Sequence, residues 1–182
     1  MRKLAPALVA ASFAATALAA SATTASAAPG PTIVDVAVSA SGGGTFDSNH
    51  GDFDILVQAV VATDLDGFLS GKGQHTVFAP TDQAFLDLTG ATTESGAFDA
   101  AVALLGVDGV RDVVTYHVAP GQRPSGDVVD ATRIRTLAKS FITKDAGSTV
   151  LTGGSGNDVE IIAVDIPASN GVIHVIDGVL LP

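Results

Sequence analysis

The stretch NGVIHVIDGVLLP, Asn170 to Pro182, sets β-branched aliphatics on both sides of a single histidine, His174. A short apolar run without polar alternation marks a strand buried on both faces, as in the middle of a sheet. An imidazole inside such a strand needs a partner, since burying a polar group unpaired costs about 2–7 kcal/mol. It is a catalytic base, a metal ligand, or a structural residue hydrogen-bonded to another buried group.

Upstream of this stretch, RIRTL, SFITKD, STVLTG and VEIIAVDI are β-rich segments separated by turn signals, and GGSGND (Gly153 to Asp158) is the clearest hairpin loop. The first half has a different period. Phe53, Leu56, Val57, Val60 and Val61 fall at helical spacing behind Asp52, which is placed to cap the first turn. Residues 64–70 read as a short helical turn ended by Gly71-Lys72-Gly73. In HTVFAPTDQAFLDL, His75 to Ala79 form a strand stopped by Pro80. Thr81 or Asp82 then starts a helix with Ala84, Phe85 and Leu88 inward. Two further helices are expected, Ala97 to Leu105 and Asp108 to Tyr116. TIVDVAV is a short apolar segment before the flexible SGGGT, and Ala28 to Pro31 an extended arm. Helices first and strands later argue for an α+β fold.

The N-terminus has the pattern of a signal peptide over residues 1–27: Arg2 and Lys3, an apolar Ala-rich run from Leu4 to Ala20, and Ala25-Ser26-Ala27 before the cleavage point. Pro6, Ser12 and Thr16 interrupt that run, so stable membrane insertion is not expected and the protein is read as secreted and extracellular. Cleavage leaves seven Lys and Arg against 19 Asp and Glu, a net charge of −12. A surface so acidic repels nucleic acid and anionic lipid. The remaining chain is long enough for one domain with a core of its own. With no cysteine, it has neither disulfides nor thiolate chemistry.

Tests for chemistry return little. Counting from Asp64 in Asp64-Leu65-Asp66-Gly67, the twelfth position of a calcium loop is His75 instead of the bidentate Glu such a loop needs. His50, His75, His117 and His174 show no zinc-site spacing, so no metal ligands are assigned. Ser155 in Gly154-Ser155-Gly156 lies in a hairpin with nothing to activate it, and the same loop lacks the Lys of a phosphate-binding loop. No catalytic residue and no cofactor is assigned.

HTVFAPTDQAF, VVTYHVAPG and NGVIHVIDGVLLP together resemble, in order and spacing, the first box, the central Tyr-His motif and the last box of fasciclin-like domains. The resemblance places one such domain at 32–182. It implies an α+β fold in which a β-sandwich-like wedge of strands is flanked by several helices, with the two boxes as neighbouring core strands. It also implies that His174 is a satisfied structural residue. Asp82 departs from the family's usual Asn. In the first turn of its own helix it would favour the dipole, and as a carboxylate it only accepts hydrogen bonds. The implied function is a non-enzymatic secreted module for adhesion or interaction, binding a cell-surface or extracellular-matrix protein or glycan. The family's two partner-binding elements fall on Tyr116-His117 and on Asp165-Ile166. The competing reading is an extracellular protein that binds a small molecule or polysaccharide ester, with weak hydrolysis.

Overall fold

The computed structural model describes residues 30–182. The signal peptide expected over 1–27, and residues 28 and 29 of the expected arm, lie outside the described residues. Helices α1 (Ile33–Ala40), α2 (Asp54–Ala62) and α3 (Asp66–Leu69) lead into strand β1 (His75–Pro80), followed by α4 (Asp82–Thr89) and α5 (Glu94–Tyr116). Then come β2 (Val118–Pro120), α6 (Ser125–Asp130), β3 (Arg133–Arg135), β4 (Phe141–Thr143), β5 (Val150–Thr152), β6 (Asp158–Ala168) and β7 (Gly171–Ile176).

The strands make one sheet in the order β2-β1-β7-β6-β5-β4-β3. β1 and β7, the two boxes, pair in parallel from His75 opposite Gly171 to Pro80 opposite Ile176, and the other neighbours are antiparallel. Both are buried at all six positions because each of their faces meets a core. Val77, Ala79, Ile173 and Val175 pack against the helices α1, α2, α4 and α5. On the opposite face Phe78 and Ile176 share a second core with Tyr116, Val128, Ile134, Ile142, Leu151, Ile161 and Leu180. The short strands β3, β4 and β5 each contribute one fully buried residue to that second core. The sheet therefore wraps over it, giving the expected wedge.

Asn170 and Gly171 tie the start of β7 to the helical side. The Asn170 side chain accepts from Ile33 N at 2.9 Å and donates to Leu69 O at 2.6 Å. A Cβ on Gly171 would collide with the His75 carbonyl oxygen, so only glycine lets the two backbones approach there.

The helices form where their ends can be satisfied. α1 starts with a capping box between Thr32 and Asp35, and α4 starts after Thr81 and ends at Gly90, whose φ is 70°. α5 joins the two expected helices across a kink at Gly106, φ 69° and ψ 171°. Two inward assignments and one cap change. Val61 and Leu88 are exposed, because Ile55 and Ala59 in α2 and Leu86 in α4 take the buried positions instead. Asp52 is not the cap of α2, whose N-cap is Phe53 and whose end is satisfied from elsewhere. The segment TIVDVAV forms most of α1, while α6 was not anticipated.

Candidate functional site

The register between β6 and β7 shifts twice, between Ile161 and Ala163 and again between Ala163 and Ile166. In the second shift Val164 and Asp165 stand opposite the single residue His174, which is a β-bulge. Residues 162–165 are consequently all exposed, including two large aliphatics, Ile162 at 55% and Val164 at 47%. Asp165 itself has φ 60°, the left-handed region that Asp tolerates better than most residues.

His174 holds this bulge from beneath. Its Nδ1 accepts from Asp165 N at 3.3 Å, and its Nε2–H donates to Arg123 O at 2.9 Å. One ring nitrogen accepts and the other donates, the pattern of a neutral imidazole. Both ring nitrogens bond backbone atoms, which is the structural role expected of a buried histidine. Asp165 in turn reaches out to α6. Its carboxylate accepts from Ser125 N at 2.8 Å and from the Ser125 hydroxyl. Those hydrogen bonds hold it below the ordinary carboxylate range. Ile166 is half-buried, sits opposite Ile173, and lines an apolar cavity of about 60 Å³ beside Ile33, Phe53 and Leu56. The expected Asp-Ile pair thus divides its work: Asp165 is at the surface and Ile166 reaches inward.

The other expected pair lies inside the molecule. Tyr116 and His117 end α5 and are both buried, so neither side chain reaches solvent. Tyr116 donates its hydroxyl to Phe141 O at 2.8 Å, tying α5 to β4. His117 donates from Nδ1 to Val113 O at 2.8 Å and accepts at Nε2 from Leu180 N at 2.9 Å. The imidazole is a clamp between the last turn of α5 and the C-terminal segment. Complete burial pushes its pKa down to about 4.

A third group of polar residues was not anticipated. Asp82 accepts from Asp54 N at 2.9 Å and from Ile55 N at 2.8 Å. It sits in the first turn of its own helix, as expected, and also caps α2 across space. A carboxylate supplies both acceptors, which explains why Asp serves here. Burial and a hydrogen-bonding Asp52 carboxyl nevertheless hold Asp82 above the ordinary carboxylate range. Beside it, one carboxylate oxygen each from Asp47, Asp52, Asp54 and Glu94 lies within 4.8 Å of the others. Three of the four residues fall in the run DSNHGDFD, 47–54, an acid-dense loop legible in sequence. Glu94 comes from α5 and could not be placed with them.

The chain belongs to the fasciclin domain family, whose model matches residues 51–182. It is 38% identical over 156 residues to Protein sll1483 of Synechocystis, covering 83% of this chain and 73% of that protein. It is 31% identical over 136 residues to pig transforming growth factor-beta-induced protein ig-h3, covering 71% of this chain and 18% of that one. Among solved structures it is similar to a FAS1 domain pair from the insect cell adhesion molecule fasciclin I. That match has a TM-score of 0.59 and 18% identity, and covers 84% of this chain and 51% of that one. The likeness is one of fold. Among the described residues, no helix is long and apolar enough to cross a membrane.

Proposed function

We propose that this domain is a secreted, non-enzymatic interaction module that docks a cell-surface or matrix protein or glycan through the bulged edge of β6, with Asp165 and Ile166 at its centre. The observation that carries this reading is the ledge at residues 162–165. There Ile162 and Val164 stand exposed beside a carboxylate that His174 and α6 hold in place. Exposed aliphatics around a fixed polar group suit recognition, the apolar area supplying affinity and the carboxylate orientation. Tyr116 and His117 contribute from inside, by fixing the strands and the C-terminal segment behind that surface. The insect protein of similar fold is named a cell adhesion molecule, which is in keeping with this reading. The ester-binding alternative has less support, because the apolar cavity of about 60 Å³ is far smaller than the roughly 300–1,000 Å³ of small-molecule sites, and the larger space of about 500 Å³ beside His50, Gln83 and Asp87 is an open surface groove instead of an apolar cleft.

The test is attachment of purified domain to extracellular surface and matrix fractions, comparing wild type with Val164→Glu and Ile162→Glu. Both variants should melt like wild type and lose attachment. Attachment unchanged in both would move the contact away from β6. Intact mass of protein recovered from the medium tests export separately, with a chain beginning at Ala28 as the expected species.

A further inference from the structure

The acidic group between the 47–54 loop and α5 has no structural reason to be unpaired. Asp54 is 0% exposed and neither of its carboxylate oxygens has a hydrogen-bond partner. Glu94 Oε1 is also buried and unpartnered, and Asp52 Oδ1 faces only the Asp82 carboxyl. Burying even one ionised carboxylate without a partner is costly, and these stand side by side. Among the described residues, the basic group nearest is His50, with Nε2 4.0 Å from Glu94 Oε1, and no Lys or Arg nitrogen comes within 4.0 Å. Burial, and then the charges of Asp52, Glu94 and Asp47, push the Asp54 pKa up to about 6.

The remaining oxygens are held by fixed donors. Glu94 Oε2 accepts from Asp47 N at 2.7 Å, Asp47 Oδ1 from Asn49 N at 2.6 Å, and Asp52 Oδ2 from the Asn49 amide at 2.8 Å. Three carboxylates are thereby oriented at one oxygen each, and α2 fixes Asp54 through the Asp82 cap on its first turn. This is the supporting shell that a ligand set requires.

We propose that Asp47, Asp52, Asp54 and Glu94 form a binding site for one calcium ion. The donors are all carboxylate oxygens, which select a hard cation over zinc or copper. Calcium–oxygen distances of about 2.3–2.6 Å let ligands on opposite sides of an ion stand about 4.6–5.2 Å apart. Oxygens within 4.8 Å of one another fit that sphere. Magnesium, at about 2.0–2.1 Å and in near-ideal octahedral geometry, fits it less well. Asp47 is exposed and gives the ion its route in from solvent.

The test is calcium titration of the purified, EDTA-treated protein by calorimetry and by thermal melting, with magnesium in parallel. One calcium should bind per chain, and at tenfold over Kd it should raise Tm by about 3–6 °C, magnesium doing less than half of that. Asp54→Asn should abolish the calcium shift without lowering the metal-free Tm at neutral pH, since it removes a buried charge from a like-charged group. Asp47→Asn, at the exposed rim, should weaken calcium binding about tenfold with metal-free melting unchanged, and it keeps the test readable where the Asp54 variant fails to fold. Absence of heat and of any Tm shift up to about 10 mM calcium, beyond the range of extracellular calcium modules, would overturn the proposal. Equal calcium and magnesium shifts that survive in both variants would overturn it too, being charge screening of an acidic chain.

Discussion

The two hydrogen bonds of His117 require a proton on Nδ1 and a lone pair on Nε2. Protonating Nε2 sets an N–H against the Leu180 N–H, and nothing else in the contact can accept. The folded-state pKa of about 4 lies below the ordinary histidine value of 6.5, so the unfolded chain binds the extra proton first. The stability this ring supplies is complete above about pH 6.5 and falls as pH drops toward 4, by about 3 kcal/mol in all. His117→Gln keeps a donor and an acceptor but does not titrate. Its melting temperature should fall less than that of wild type between about pH 6.5 and 4; parallel curves would show that His117 is not the group responsible. Asp165 makes a different kind of prediction. Asp165→Ala loses the α6 cap and puts a Cβ at positive φ without a compensating side-chain bond, so its Tm should drop. Asp165→Asn, which tolerates that conformation and still accepts a hydrogen bond, should drop less. Melting curves of the two variants decide whether Asp165 is structural as well as a contact residue.

β6 and β7 are coupled at the bulge through one side chain. His174→Ala leaves Asp165 N–H and Arg123 C=O without their partner and opens a void under the ledge, which should cost about 2–4 kcal/mol. Hydrogen exchange at the Asp165 amide should accelerate in that variant more than at Val175, which separates loosening of the bulge from general unfolding. In α5, Gly106 is required by its backbone angles, φ 69° with ψ 171°, a region open essentially to glycine, since a Cβ there meets nothing within 4 Å. Gly106→Ala should therefore cost about 1–3 kcal/mol by denaturant melts, all of it backbone strain. These elements show what periodicity can carry. The break in α5 was legible as two helices either side of Gly106, and each β-rich run of the second half became a strand, because alternation and turn residues are local signals. Val61 and Leu88 were assigned to the wrong side, because a short helix packed on several neighbours has no single apolar stripe. α6 was missed because its cap, Asp165, is 40 residues away.

At the scale of the molecule, two cores share β1 and β7, and the C-terminal segment seals the second. Leu180 is fully buried there, so Leu180→Ala should lower stability by about 2–5 kcal/mol although it lies two residues from the chain's last position. Denaturant unfolding measures it; a loss below about 1 kcal/mol would mean that the segment is only loosely held. At this scale resemblance singles out Asp165-Ile166 along the chain, but the burial of Tyr116-His117 and the meeting of Glu94 with the 47–54 loop depend on packing between distant segments. The sheet order carries one more consequence. β7 lies between β1, made about a hundred residues earlier, and β6, and it supplies residues to both cores, so neither core can close until the chain has been made as far as Ile176. A chain cut before Gly171 keeps the β1–β2 pair and the antiparallel run from β3 to β6 but has no strand to join them.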